Sequence, residues 1–183
     1  MLIEVTVQSE DSSKPKGFSP QTANAQVGDA VFWHNDDITA GHQPTPDPSN
    51  PKFWFNDPIP GQNSSSQINL GIAGTISYQD ALNSSLTGKI LVATPVQIGQ
   101  QFGGGAAFSP SPVQIKAGTA ICWTNADTKP HQPAPKGGPA TAWCAQPIAP
   151  GQKSPPVSKF ATAGSIAYED ALDATIQGVI QVS

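Results

Sequence analysis

The stretch from Gly74 to Val92, GTISYQDALNSSLTGKILV, returns at the end of the chain as Gly164 to Val182, GSIAYEDALDATIQGVIQV. In each copy a Gly opens an alternating strand that ends in Tyr-x-Asp-Ala-Leu (Tyr78 to Leu82, Tyr168 to Leu172). A short polar loop follows, and a second Gly (Gly88, Gly178) opens another alternating strand. The segments upstream keep the same spacing: Phe18-Ser19-Pro20, Gly28, Val31, Trp33, Asn35 and Asp37 match Phe108-Ser109-Pro110, Gly118, Ile121, Trp123, Asn125 and Asp127, at a constant offset of 90 residues. A match that long is a duplication. It predicts two domains of one design, about residues 1 to 93 and 94 to 183, each within the ordinary size range of a domain.

Composition narrows the class of fold. Charged residues make up 12% of the 183-residue chain, while there are 17 Gly and 19 Pro, a balance that favours short strands and turns. No stretch keeps a helical period. The net charge is −4, and every basic residue is Lys. Without Arg, the bidentate fork used on phosphates and guanine is missing, which argues against nucleic acid as a partner. There is no apolar run long enough to span a membrane, and Met1-Leu2-Ile3 leads straight into a strand pattern instead of a signal peptide. A mature chain whose leader had been removed would read the same way, and the low charge is consistent with an exported protein. Cys122 and Cys144 could pair in an oxidising compartment or stand as two buried thiols.

Along the chain, Leu2 to Val7 reads as an edge or half-buried strand. In Val31 to Asn35, Val31, Trp33 and Asn35 alternate with Phe32 and His34, which puts the two Trp residues, Trp33 and Trp123, in cores. Each repeat then enters a proline-rich loop containing His-Gln-Pro, at His42-Gln43-Pro44 and His131-Gln132-Pro133. The loops converge on Trp54, framed by Phe53 and Phe55, and on Trp143, readable as core residues or as exposed aromatic platforms. Next come Asp57-Pro58-Ile59-Pro60-Gly61-Gln62 and its copy ending in Pro150-Gly151-Gln152. Ala93-Thr94-Pro95 joins the repeats with no room for a flexible linker, so the two domains are expected to be held closely. Asn63-Ser64-Ser65 and Asn83-Ser84-Ser85 fit the N-glycosylation pattern, which has meaning only in a eukaryotic secretory host.

These motifs together resemble the cupredoxins, the plastocyanin-like blue copper proteins. Their closing signature runs Gly-x-Tyr-x-Tyr-x-Cys-x-x-His-x-x-Met-x-Gly, and their earlier strand runs Val-x-x-Gly-Asp-x-Val-x-Trp-x-Asn-x-Asp. The resemblance covers nearly the whole chain and implies an all-β fold, two tandem cupredoxin-like Greek-key β-sandwiches. It also implies that the copper ligands are mostly gone. The Cys position is Asp80 or Asp170, the second His position is Asn83 or Asp173, and the Met position is Leu86 or Ile176. Only the first His of the family's set survives, as His42 and His131.

A blue copper site needs a soft thiolate beside two imidazoles and a weak axial thioether. Neither Cys falls at a ligand position, and three His with no His-x-His pair exclude the trinuclear cluster of a multicopper oxidase. What the resemblance leaves is a candidate non-blue Cu(II) or Zn(II) site from His131, Asp170 and Asp173, with a weaker one from His42, Asp80 and Asn83. Against it stands a metal-free alternative in which each His bonds the Asp that replaced the thiolate. Enzymatic acid–base chemistry from Asp170 and Asp173 finds little support, since close Asp pairs in loops are common. The leading expectation is an exported, redox-inactive binding or scaffolding protein, without a cofactor or with weakly bound copper or zinc, whose former copper ends contact a protein partner. The rivals are a metal carrier and an electron-transfer protein.

Overall fold

The computed structural model describes residues 1–11, 13–47, 57–100 and 105–183. Among them the structure is built from β-strands, with one short 3-10 turn at Ala140–Ala142. The chain divides into two compact units, Met1–Val92 and Ala93–Ser183.

In the first unit, β1 (Leu2–Gln8) lies antiparallel to β2 (Gly17–Ser19) and parallel to β4 (Ala30–Asn35), whose other edge carries β6 (Ile68–Asn69). The second sheet is formed by β3 (Thr22–Gln26), the first half of β8 (Thr87–Gln100), β7 (Gly74–Asp80) and β5 (Pro44–Pro46). The parallel pairing of β1 with β4, across intervening strands that belong to both sheets, is the Greek-key crossing of a β-sandwich. Alternation decides which side chains enter: Val31, Trp33 and Asn35 of β4 are buried, and they pack with Val5, Val7, Phe18, Ile76, Tyr78, Ile90 and Val92.

The second unit repeats the plan. The second half of β8 pairs antiparallel with β9 (Ala106–Ser109) and parallel with β11 (Ile121–Asn125). The facing sheet runs β10 (Val113–Ile115), β14 (Asp173–Val182), β13 (Gly164–Asp170), β12 (Pro133–Pro135). Its core holds Trp123, Tyr168, Phe160, Ile121 and Ile180.

One packing detail explains why both closing strands carry Gly where alternation asks for a side chain. A Cβ at Gly88 would lie 2.4 Å from the Tyr78 ring, and one at Gly178 equally close to Tyr168. Each Tyr lies edge-on to its Trp, with centroids 5.4 Å apart for Trp33 and Tyr78 and 5.9 Å for Trp123 and Tyr168. Leu86 and Ile176, at the position of the family's Met, are buried members of the two cores.

Candidate functional site

The end of each sandwich is organised by the Asn that closes the Trp strand. The Asn35 amide donates to the carbonyls of Ala40 and Ile59 at 2.8 and 2.9 Å, and its Oδ1 accepts the Asp37 backbone N–H at 2.9 Å. Asn125 does the same with Lys129, Ile148 and Asp127. This clamp fixes the loop that delivers the His, which is then tied by paired backbone bonds, His42 to Ile59 and His131 to Ile148. Three segments therefore converge on one imidazole: the loop after the Trp strand, the start of the proline-rich segment, and the end of β7 or β13.

In the first unit His42 is buried between two carboxylates. Its Nδ1 lies 2.5 Å from Asp80 Oδ2 and its Nε2 lies 2.8 Å from Asp37 Oδ2. Asp80 is held by backbone amides, its Oδ1 accepting Gln43 N–H at 2.8 Å and Leu82 N–H at 3.0 Å. Asp37 accepts the Ser9 and Glu10 N–H groups, each at 2.9 Å on Oδ1, and the Ser9 hydroxyl at 2.6 Å on Oδ2. Glu10 reciprocates, its carboxylate accepting the Thr39 hydroxyl and the N–H groups of Ile38, Thr39 and Ala40. The two loops thus lock each other over the imidazole.

The second unit holds the same cradle, without the first unit's lock among the described residues. His131 Nδ1 lies 2.6 Å from Asp170 Oδ2 and Nε2 lies 3.1 Å from Asp127 Oδ2, while Asp170 Oδ1 accepts Gln132 and Leu172 N–H at 2.7 and 3.1 Å. Among the described residues, Asp127 takes its other side-chain bonds from the adjacent Thr128. Where the first unit has Ser9, the offset of 90 places Gly99, which has no hydroxyl to give.

A carboxylate accepts only, so each arrangement is fully satisfied when both ring nitrogens donate. Burial pushes against the cationic form of His42, but the hydrogen bonds it donates to Asp80 and Asp37 outweigh that and raise its pKa above the ordinary value. Asp37 shows the complementary effect. Burial would raise its pKa, yet the Ser9 hydroxyl, the Glu10 amide and His42 bring it well below the usual carboxylate range. In the second unit the Thr128 amide, then His131, lower Asp127.

The structure brings together His42 with Asp80 and His131 with Asp170, and adds Asp37 and Asp127, which the sequence offers only as matched positions of the two repeats. Their signal lay in the Asn-x-Asp pair, five residues before His42 and four before His131. Asn83 and Asp173, expected beside the imidazoles, are placed elsewhere. Both are exposed and fold back on their own loops, Asn83 Oδ1 accepting the Ser85 hydroxyl at 2.7 Å and Asp173 Oδ1 accepting the Thr175 hydroxyl at 2.6 Å. Asp173 still senses His131 as a nearby charge, though its pKa is lowered chiefly by Thr175.

The cysteines are free and buried. The Cys122 thiol donates to the Ser154 carbonyl at 3.1 Å, and burial, reinforced by Cys122, pushes the Cys144 thiol up to about 11. Trp143 is half-buried and packs against the core, stacking on Trp123 at 5.4 Å and meeting Phe160 edge-on. Phe53, Trp54 and Phe55 lie outside the described residues. His34 is a surface residue, 2.8 Å from the Ser64 hydroxyl.

These donors do not fit a blue copper ion. Each imidazole directs both nitrogens at carboxylates, the position of the family's thiolate is a carboxylate held by two amides, and the position of its thioether is an aliphatic core side chain. Among the described residues, no group of three or more His, Cys, Asp and Glu is arranged to hold a metal ion. No helix is long and apolar enough to cross a membrane.

No family model matches this sequence, and no curated protein matches it either. Its structural neighbours are cupredoxins. A purple cupredoxin from Nitrosopumilus maritimus shares 19% identity, with 50% of this chain and 99% of that one aligned at a TM-score of 0.44. An oxidised amicyanin variant shares 20%, with 49% and 80% aligned at 0.40, and a Cu(I) form of another amicyanin variant shares 19%, with 50% and 81% aligned at 0.39. The fold assignment stands on the strand order and register described above.

Proposed function

We propose that this chain is an exported, redox-inactive binding or scaffolding protein in which each former copper end has become a structural Asp–His–Asp cradle. One observation carries the reading: in both units both imidazole nitrogens are engaged by carboxylates, at 2.5 and 2.8 Å around His42 and 2.6 and 3.1 Å around His131. A metal ion would have to displace a carboxylate from each ring nitrogen it used. Carboxylates are also hard donors that disfavour Cu(I), so reversible copper cycling finds no support in this donor set. The cradle supplies what a metal would otherwise supply, a fixed junction between three chain segments.

A second reading, a non-blue Cu(II) or Zn(II) carrier, is favoured by one feature of the second unit. The His131–Asp127 contact is the longest of the four and lacks a Ser9-like lock, while Asp173 is exposed nearby. Calorimetric titration of the full chain with Cu(II) and Zn(II) separates the readings. The scaffold reading expects no stoichiometric binding and no intense visible band. Stoichiometric binding lost in His131→Ala establishes the carrier, and a strong visible band lost in Cys144→Ser revives electron transfer.

A further inference from the structure

We infer that Asn83 is an acceptor site for an N-linked glycan and that Asn63, although it carries the same pattern, is not. The inference rests on the exported reading with a eukaryotic secretory route, because the co-reactant, an oligosaccharide linked through phosphate to a lipid, is found there with its transferase. In that step the Asn amide nitrogen forms a bond to the anomeric carbon, the bond from that carbon to the phosphate oxygen breaks, the lipid phosphate leaves, and the nitrogen gives up one proton.

The two patterns differ in what the folded chain leaves available. Asn83, Ser84 and Ser85 are all exposed, in the loop between β7 and β8. The Ser85 hydroxyl donates to Asn83 Oδ1 at 2.7 Å. That bond sets the acceptor Asn against the hydroxyl two residues on, which is the pair such a transferase reads, and it engages Oδ1, not the nucleophilic Nδ2, of an exposed residue. At the other pattern Asn63 and Ser64 are exposed as well and only Ser65 is half-buried, but Asn63 Nδ2 is engaged, donating to the Gly61 carbonyl at 2.8 Å. Ser65 Oγ accepts the Trp33 backbone N–H at 3.0 Å and donates to the Ser66 carbonyl at 2.9 Å, so the hydroxyl is bound into the wall of the sandwich.

The duplication supplies an internal control. The second unit has Asp173-Ala174-Thr175 at the corresponding loop, also exposed, with the Thr175 hydroxyl donating to Asp173 Oδ1 at 2.6 Å. The geometry is repeated, but a carboxylate has no amide nitrogen to glycosylate. One substitution should therefore convert it.

The test is secretion of the full chain from a eukaryotic host behind a cleavable leader, read by intact mass and by peptide mapping after enzymatic glycan release in heavy-oxygen water. One glycan at Asn83 and none at Asn63 is expected, with complete loss in Asn83→Gln and a second glycan in Asp173→Asn. A bare Asn83 in folded, secreted protein overturns the site, as does a glycan at Asn63 with Asn83 bare. Because the host supplies export, these outcomes are independent of the exported reading, which is tested by fractionating the cells that make the protein naturally.

Discussion

Among the described residues the two His cradles differ chiefly in one element, the loop that follows the first strand of each unit. Both imidazoles bridge an amide-held Asp at the end of a closing strand to an Asp that follows the Asn clamp. In the first unit a loop from β1 also enters: Ser9 and Glu10 bind Asp37, and Glu10 binds the backbone of Ile38 to Ala40. In the second unit Gly99 stands where Ser9 would, and Asp127 relies on its neighbour Thr128. A duplicated fold can therefore keep its buried charge cluster while changing how the cluster is sealed. The imidazoles and their carboxylates are buried in both copies, so what differs is the number of bonds that hold the second carboxylate.

The largest effect expected is the one on which the units should agree. Asp80→Ala and Asp170→Ala each leave a buried imidazole without its closest partner and two backbone amides without an acceptor. Each should cost its own unit about 3–5 kcal/mol, the range for breaking a buried ion pair from one side. Urea unfolding followed by tryptophan fluorescence measures this. A loss confined to one of the two variants would show that the cradles are not equivalent in their shared part.

The second prediction addresses the lock. Asp37→Ala removes the acceptor for Ser9, Glu10 and His42 together and should cost about 2–3 kcal/mol. Asp127→Ala releases one amide and one longer imidazole contact and should cost less. Equal losses would mean that the Ser9 loop contributes nothing beyond the Asp–His contact itself.

The third concerns pH. A raised His42 pKa means that its contribution is fully present below the unfolded value of about 6.5 and is lost as pH rises through the folded value. A lowered Asp37 pKa means that its contribution is present above about 3.8 and is lost as pH falls toward the folded value. The first unit should therefore be most stable between those limits and decline on both sides. Melting temperature against pH should lose its alkaline limb in His42→Gln. An alkaline limb unchanged in that variant would assign it to another group.

Much of this was legible in the sequence, for identifiable physical reasons. The offset of 90 residues and the alternation of Val31, Trp33 and Asn35 give the duplicated sandwich and its core, because strand periodicity reports directly on which side is buried. The pairing of His42 with Asp80 could be read as one alternative, since both fell at positions of one known site. Asp37 and Asp127 were marked only by the Asn-x-Asp spacing, which does not by itself make them partners of the imidazoles, because the turn that swings them back depends on the Asn side chain reaching two distant backbone carbonyls. Asn83 and Asp173 misled for the opposite reason. Their spacing matched a ligand position, but a hydroxyl two residues on offered each a local hydrogen bond that turns it toward solvent.

The smallest effect tests a one-residue slip between the copies. By sequence, Pro60-Gly61-Gln62 matches Pro150-Gly151-Gln152, but the backbone pairs Gln62 with Gly151: Gln62 N–H donates to the Asn35 carbonyl as Gly151 N–H donates to that of Asn125. Both residues are left-handed, Gln62 at φ 59° and Gly151 at φ 73°. Gly accepts that conformation freely, whereas a side chain costs about 1 kcal/mol there. The first unit offsets the cost with the Gln62 amide, which donates to the carbonyls of Asp36 and Asp37 at 2.7 and 3.1 Å. Gly151→Ala should then destabilise the second unit by about 1 kcal/mol. Gly151→Gln should cost less, because its amide can reach the corresponding carbonyls of Ala126 and Asp127. If Gln proves as costly as Ala, the two turns are alike in backbone alone, and the compensation seen at Gln62 belongs to the first unit only.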